Sequence, residues 1–585
     1  MRSRLFPFLL IPLLLIPLLM AGCATVATAP VASAQEQTAQ DLLDQGKFRE
    51  AAAAWQAIAE SARSPARDRA FAHAAEAWLE AGDSTAAREA LAQSNRRKLT
   101  GEAAVLHDLL SAQWLIDDGH DREALPLLGQ AQSSVPERQR LHWHRLRASA
   151  FESVGQIFDV AGERAWILNS AKPHQRSAGA RNIERLLAGI NDSELSQRSA
   201  ALAAEAPLYP FAARELRKRG LPLPHPLVSG ARVQTRDFPP ADDNGYRPPA
   251  RLAVLLPTSG PLAAAAAGVR DGLLAGYYAD PRRRTRLRFY DSGGSAEGAR
   301  AALKKARADG AQMIVGPLAR DEVTAVFASG GQDLPVLALN RPQDTPPPGS
   351  LSFALLPDDE GLALADRLAA RGLLNVAVFV QSDDNDQRAI SALREGLRLR
   401  GGEIVVEIAV GETSADLGGR ITETLAKARK TPVAIVFAVK PTQALQVAAQ
   451  VRSSALAALP RLATSSIANA GKSSNELDGI EFPELPWLLD QSDALPDADT
   501  LSHSLPSARG AAQRLFAFGR DAWSLVGYFE RLQSDPAFVI HGATGTLRMD
   551  SLGALQREPA WAELSGGRPR PAPNRAARDD AGNAH

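Results

Sequence analysis

The sequence predicts an α + α/β protein: a helical repeat domain followed by a bilobed α/β domain. Three observations carry this. Glycines recur at a steady spacing in the N-terminal part, a proline-rich stretch follows, and beyond it short apolar runs alternate with helical segments. With 585 residues, 45% of them hydrophobic, the chain can build several cores, so two or three domains are expected.

Residues 37–220 have a helical pattern that repeats. Gly46, Gly82, Gly119 and Gly155 lie 36, 37 and 36 residues apart. Each closes one apolar-periodic helix and precedes another, at 49–58, 86–92, 123–128 and 158–167. Glycine ends a helix because it alone takes the left-handed backbone without steric cost. One helix pair per unit at this period resembles tetratricopeptide repeats, so a TPR-like solenoid is expected, a form suited to docking or spacing. Trp55, Trp78 and Trp114 are its large fillers among Ala-rich faces. Residues 221–250 hold seven prolines and few periodic apolar positions, which reads as a stiff linker.

From 251 the grammar changes. Apolar runs at 252–256, 287–290, 313–315 and 336–339 are separated by helical segments such as 263–278 and 299–308. The alternation resumes with 376–380, 404–410 and 433–439 between helices at 388–400, 417–428 and 442–451. Short β-branched runs alternating with helices indicate parallel sheets covered on both faces. Two such groups, hinged near Leu355-Leu356-Pro357, make a bilobed α/β domain over 251–565. Functional surfaces in such sheets lie at the carboxyl ends of the strands. There the sequence offers Thr258, Ser259 and Gly260, then Gly316, Asn340 and Asp383. Thr258 and Ser259 either cap the helix that begins near Leu262 or present N–H groups to a ligand carboxylate. Residues 566–585, rich in Arg, Pro, Asp and Asn, are expected to be a disordered tail.

The N-terminal segment carries Arg2 and Arg4, then apolar residues 5–20 broken by three prolines, too short and kinked to span a bilayer well. Ala21-Gly22-Cys23 resembles the lipobox of bacterial lipoproteins, although Met20 stands where that motif usually has Leu. Residues 1–22 are thus expected to be a signal peptide and Cys23 the lipidated residue. Acyl chains at ~0.8 kcal/mol per buried methylene would hold it to a bilayer. Residues 23–36 read as a tether. Cys23 is the single cysteine, so lipidation leaves no thiol for a disulfide, a nucleophile or a metal site. Ala24 follows it, where aspartate favours inner-membrane retention in many bacteria, so the outer membrane is the expected address.

No catalytic constellation emerges, and no cofactor or metal site is implied. Gly-x-Ser-x-Gly and His-Glu-x-x-His are absent, and Gly471-Lys472-Ser473 lacks the earlier glycine of a phosphate loop. Asp384-Asn385-Asp386 starts like a calcium loop, but Arg388 falls where a ligand is needed. No lysine has a serine three residues before it, which removes the Ser-x-x-Lys motif of penicillin-binding transpeptidases. Acidic and basic residues balance at 66 each, which gives no reason to expect nucleic acid. Arg282-Arg283-Arg284 with Arg286 and Arg288 reads as a solvated turn or a surface for an acidic partner.

Several segments carry a resemblance. Arg251 to Leu262, Ile314-Val315-Gly316-Pro317-Leu318 and Pro335 to Asn340 resemble the type I periplasmic-binding-protein fold. Leu477-Asp478-Gly479-Ile480-Glu481-Phe482, Pro486-Trp487-Leu488-Leu489 and Gly542-Ala543-Thr544-Gly545-Thr546-Leu547 are more specific. Together they resemble the LpoA family, outer-membrane lipoprotein activators of class A penicillin-binding proteins. The match runs over about 251–565. Asn385-Asp386 departs from the Trp-Gly pair that relatives often carry. The resemblance implies a non-enzymatic regulator that binds a class A penicillin-binding protein and stimulates its transpeptidase, with Trp487 a candidate partner contact if exposed. The alternative is a lipoprotein that binds an amino acid or wall fragment in the interlobe cleft through Thr258, Ser259, Asn340 and Asp383.

Overall fold

The computed structural model describes residues 33–171, 173–226, 238–282, 285–329, 334–342, 346–347, 349–411, 417–469, 475–492 and 495–573. The signal segment, Cys23, Arg283, Arg284, Gly471-Lys472-Ser473 and residues 574–585 lie outside these. Two compact units emerge, Met1–Gln139 and Arg140–His585.

The described part of the first unit is helical: α1 (Ala34–Asp44), α2 (Phe48–Ser61), α3 (Ala66–Glu80), α4 (Ser84–Ala92), α5 (Gly101–Asp117) and α6 (Asp121–Leu127). α1 starts inside the stretch read as tether. Ser33 accepts from the Glu36 N–H, and Glu36 accepts from the Ser33 N–H, a reciprocal cap that fixes the start. Gly46, Gly82 and Gly119 end their helices at φ of 74°, 80° and 81°, the left-handed backbone the repeat spacing predicts. Small alanines let the helices approach closely, and Trp55 fills the core while stacking on His73 at 4.6 Å.

The unit boundary falls inside α7 (Glu137–Ser153). Four further helices follow, α8 (Ile157–Asn169), α9 (Pro173–Ala188), α10 (Asp192–Ala200) and α11 (Tyr209–Lys218). These belong to the same compact unit as the sheets, so the division does not fall in the proline-rich stretch. That stretch is no free linker where it is described: Phe238 and Tyr246 are buried, and Arg247 pairs with Glu530 at 2.7 Å.

The first lobe contains β1 (Arg251–Leu256), α12 (Ala263–Ala279), β2 (Arg286–Asp291), α13 (Ala296–Ala308), β3 (Met313–Val315), α14 (Arg320–Ala328), β4 (Val336–Ala338) and β5 (Leu351–Ser352). Its parallel sheet has the order β2-β1-β3-β4-β5. The chain then enters the second lobe through α15 (Pro357–Ala370), β6 (Asn375–Val380), α16 (Asp384–Arg398), β7 (Glu403–Ala409), α17 (Leu417–Lys427), β8 (Ala434–Ala438), α18 (Pro441–Arg452), β9 (Arg461–Ala463) and β10 (Glu481–Glu484). It returns by α19 (Ala498–Ser504), α20 (Ala512–Gly527), α21 (Phe529–Ser534), β11 (Ile540–His541), β12 (Thr546–Met549) and β13 (Leu555–Glu558). A last crossing leads to β14 (Ala560–Ser565) and β15 (Arg568–Pro571), which complete the seven-stranded order β15-β14-β10-β9-β8-β6-β7. β15 corrects the expectation of a disordered tail from 566: its backbone pairs with β14 from Ser565↔Arg568 to Ala562↔Pro571. An edge strand tolerates Pro569 and Pro571 because ladder donors are needed on one side only.

Strands β1, β6 and β8 are buried almost throughout, as sheets covered on both faces require. α12 and α20 cross so closely that a Cβ on Gly272 would sit 1.9 Å from the Phe516 carbonyl oxygen, and one on Gly519 2.0 Å from that of Val269. Only glycine permits this approach.

α9 touches both lobes. Asn182 donates to the Leu399 carbonyl at 3.1 Å, and Ala178 packs with Leu362, Ala392 and Leu399 of the second lobe. Two residues beyond Asn182, Glu184 accepts from the N–H and hydroxyl of Ser551, both at 3.0 Å, and pairs with Arg548 of the first lobe at 3.3 Å. Arg217 of α11 adds a bond to the Ser534 carbonyl at 2.6 Å.

Candidate functional site

Thr258 and Ser259 follow β1, beside the end of β2, where Leu256 and Asp291 stand in register. Their N–H groups both point to one carboxylate, as a ligand site would require, but that carboxylate is the chain's own. Asp291 Oδ1 accepts from the N–H groups of Thr258 at 2.9 Å, Ser259 at 3.3 Å and Gly293 at 2.9 Å. Asp291 Oδ2 accepts from the Ser259 hydroxyl at 2.7 Å. The hydroxyl and the Gly293 and Thr258 amides hold the Asp291 pKa down to about 2. Capping is also excluded, since α12 has Leu262 at its N-cap and no side-chain cap bond.

The other expected residues are similarly committed. Gly260 lies exposed beside Gly293. Gly316 is buried and donates to the Leu337 carbonyl at 2.9 Å. Asn340 donates to the Leu318 carbonyl and accepts from the Arg341 N–H, both at 2.9 Å. Asp383 caps α16 by accepting from the Asn385 N–H at 3.0 Å. None of these six lines the cavity at the lobe junction.

Trp487 is not a partner contact. It is 1% exposed, donates from Nε1 to the Pro496 carbonyl at 2.8 Å and stacks on Phe516. The large indole face is consumed by packing between the second crossing and α20. The arginine cluster is also partly committed: Arg282 lies over the Tyr246 ring at 3.7 Å and pairs with Asp280, and Arg288 pairs with Asp309 at 2.9 Å.

The cavity itself is about 300 Å³. Leu355, Leu356 and Pro357 line it from the first crossing and Leu485 from the second. α15 contributes Glu360, the start of α16 Asn385 and Asp386, and the turn after β9 Thr464, Ser465 and Ser466. Arg514 of α20 and Arg557 of β13 come from the first lobe. Glu360 is held by the Ser465 N–H at 2.9 Å and hydroxyl at 2.5 Å. Burial, then the charges of Asp383 and Glu360, push Asp386 up to about 6, against a hydrogen bond from Thr464. Arg514 pairs with Glu484 at 2.7 Å, and burial raises the Glu484 carboxyl. Arg557 donates to the Thr544 carbonyl at 3.1 Å. Among the described residues, no group of three or more His, Cys, Asp or Glu is placed to hold a metal ion.

Sequence reasoning touched Asp386 only as part of a failed calcium loop and missed Glu360, Arg514 and Arg557. No local motif could have found them, because they come from three elements, α15, α20 and β13, far apart in the chain. The lone usable signal was Thr464-Ser465 at the end of an apolar run, which places hydroxyls at a strand terminus.

This architecture defines a class: a helical repeat unit with a two-lobed α/β body of periplasmic-binding-protein type, whose anion nest is filled from within. Residues 245–567 match the family described as LppC putative lipoprotein, and the chain belongs to that family. Its relatives include the penicillin-binding protein activator LpoA of Photobacterium profundum, 25% identical over 534 residues, 84% of this chain and 86% of that one. The protein of that name from Vibrio cholerae (strain M66-2) is 24% identical over 522 residues, 80% of this chain and 84% of its own. Full-length LpoA from Haemophilus influenzae has the same fold, with a TM-score of 0.57 at 18% identity, over 89% of this chain and 98% of that one. The LpoA resemblance seen in the sequence therefore holds.

Proposed function

We propose that this chain is a non-enzymatic lipoprotein of the outer membrane, anchored through Cys23, that binds a class A penicillin-binding protein and stimulates its transpeptidase. The observation that carries this is the alignment with proteins named penicillin-binding protein activator over both units at once, 84% of the chain. An activator of this kind needs no chemistry of its own. It must bind the active conformation of the synthase more tightly than the inactive one, and a tenfold difference corresponds to ~1.4 kcal/mol. The alternative, ligand capture through Thr258 and Ser259, loses its main support because Asp291 already occupies their N–H groups.

The test is cross-linking of lipid-linked precursor by the cognate synthase, with and without the soluble fragment 35–585. A rise in cross-linked product together with direct binding is expected. Unchanged cross-linking and no binding would reject the reading.

A further inference from the structure

Among the described residues, the two larger sheets end in four edge strands, and three of these are closed to a further strand. β5 has two residues, and β7 is bulged between Ile404 and Val406, with Arg420 donating to its Ala409 carbonyl at 2.5 Å. In β15 the Ala572 N–H donates to the Trp561 carbonyl at 2.8 Å, so the backbones of Arg568 and Arg570 face β14 and the two prolines face outward. That edge offers no N–H.

β2 is the fourth, six residues long and regular in register with β1. The Arg286 N–H donates to the Ala250 carbonyl at 2.8 Å and the Ser292 N–H to that of Leu256 at 3.1 Å, so the even-numbered residues face β1. Leu287 and Phe289 turn their N–H and C=O the other way, where no strand lies among the described residues. Their side chains are half-buried against the core, which leaves apolar surface for a neighbouring strand to cover. Tyr277 of α12 reaches the Thr285 carbonyl at 3.1 Å, and beside it Tyr278 is 65% exposed.

The one protection on this edge is charge. Residues 281–290 hold five arginines and no acid. Arg286 is exposed with no ion-pair partner among the described residues, while Arg288 shares Asp309. Like charges opposed across a strand pair repel, so this edge rejects a second copy of itself and favours an acidic strand. Arginines alone would suit any anion. A row of free backbone donors and acceptors suits only another polypeptide.

We propose that the outer edge of β2 takes up an extended segment of another protein as a sixth strand, its acidic and apolar residues alternating. The acids lie beside Arg286 and Arg288 and the apolar residues beside Leu287 and Phe289, as the two-residue period of a strand requires. The assignment does not rest on the activator reading, and each can fail alone.

The experiment is fluorescence anisotropy of the full chain in detergent with a labelled peptide of alternating Glu and Val, capped at both ends and long enough to span β2. Saturable binding is expected, and none for the peptide with Lys in place of Glu. Methylating the peptide's backbone nitrogens keeps its charge and removes its donors, and should weaken it about tenfold. Arg286→Glu should weaken the Glu peptide by a similar factor and admit the Lys peptide. Leu287→Pro removes an outward N–H without touching the β1 ladder and should also weaken binding. If the Glu peptide fails to bind, or if methylation leaves its affinity unchanged as a site for anionic polymers would, the proposal is overturned. Self-association of the full chain that Leu287→Pro abolishes would assign the edge to a second copy and overturn it equally.

Discussion

Asp386 shows how one carboxyl can be read twice. In the sequence it belonged to Asp384-Asn385-Asp386, a polar run that suggested calcium. In the structure Asp386 faces inward from the first turn of α16 while Asp383 caps the same helix. Sequence spacing could not separate these fates, because the side that faces the cavity depends on where α15 packs. Its pKa of about 6 lies above the ordinary value, so the folded state holds the proton more tightly than the unfolded chain does. That contribution to stability is complete below the unfolded pKa of ~4 and is lost as pH rises through about 6. Asp386→Asn cannot lose it. The variant should match the parent near pH ~4 and exceed it by about 2 kcal/mol at pH ~7. Thermal unfolding across that range checks this, and equal stability at the upper end would refute it.

At the scale of elements, most strands were visible because β1, β6 and β8 are continuous apolar runs, a pattern set by burial on both faces. The glycine repeat was equally plain, since a left-handed residue must be placed at each helix end. β15 was not visible: Arg568–Pro571 contains two prolines and no alternating apolar face, and it forms only because β14 offers an edge. The α12–α20 crossing was also hidden. Gly272 and Gly519 look like helix-weakening residues in sequence, yet each makes room for the other helix's backbone. Gly272→Ala would place a methyl 1.9 Å from a carbonyl oxygen that cannot swing aside. The helices must then separate, at a cost of about 2–3 kcal/mol. Denaturant unfolding should show a lowered midpoint with unchanged α-helical circular dichroism in the native baseline. An unaltered midpoint would mean the crossing has room for a methyl group.

For the whole molecule, the main departure from the sequence reading is where one body ends and the next begins. Proline content pointed to 221–250, but packing assigns everything from Arg140 onward to one unit. The reason lies in single bonds that sequence periodicity does not encode, such as Asn182 to the Leu399 carbonyl and Glu184 to Ser551. A fragment beginning at Arg140 should therefore unfold at a higher temperature than one beginning at residue 240. The shorter one uncovers Leu362, Ala392 and Leu399 and leaves the Leu399 carbonyl without its Asn182 donor. Calorimetric melting of the two fragments makes the comparison, and coincident melting temperatures would show that the helices add nothing.

Two plates joined along one edge fold like the covers of a book. A bar pinned to both covers turns the book into a braced frame, and a frame moves only by shearing its pins or by dragging the bar along. α9 is pinned in this way, by Asn182 to one lobe and by Glu184 to the other. Any change in the angle between the lobes must leave the cleft as displacement of that bar.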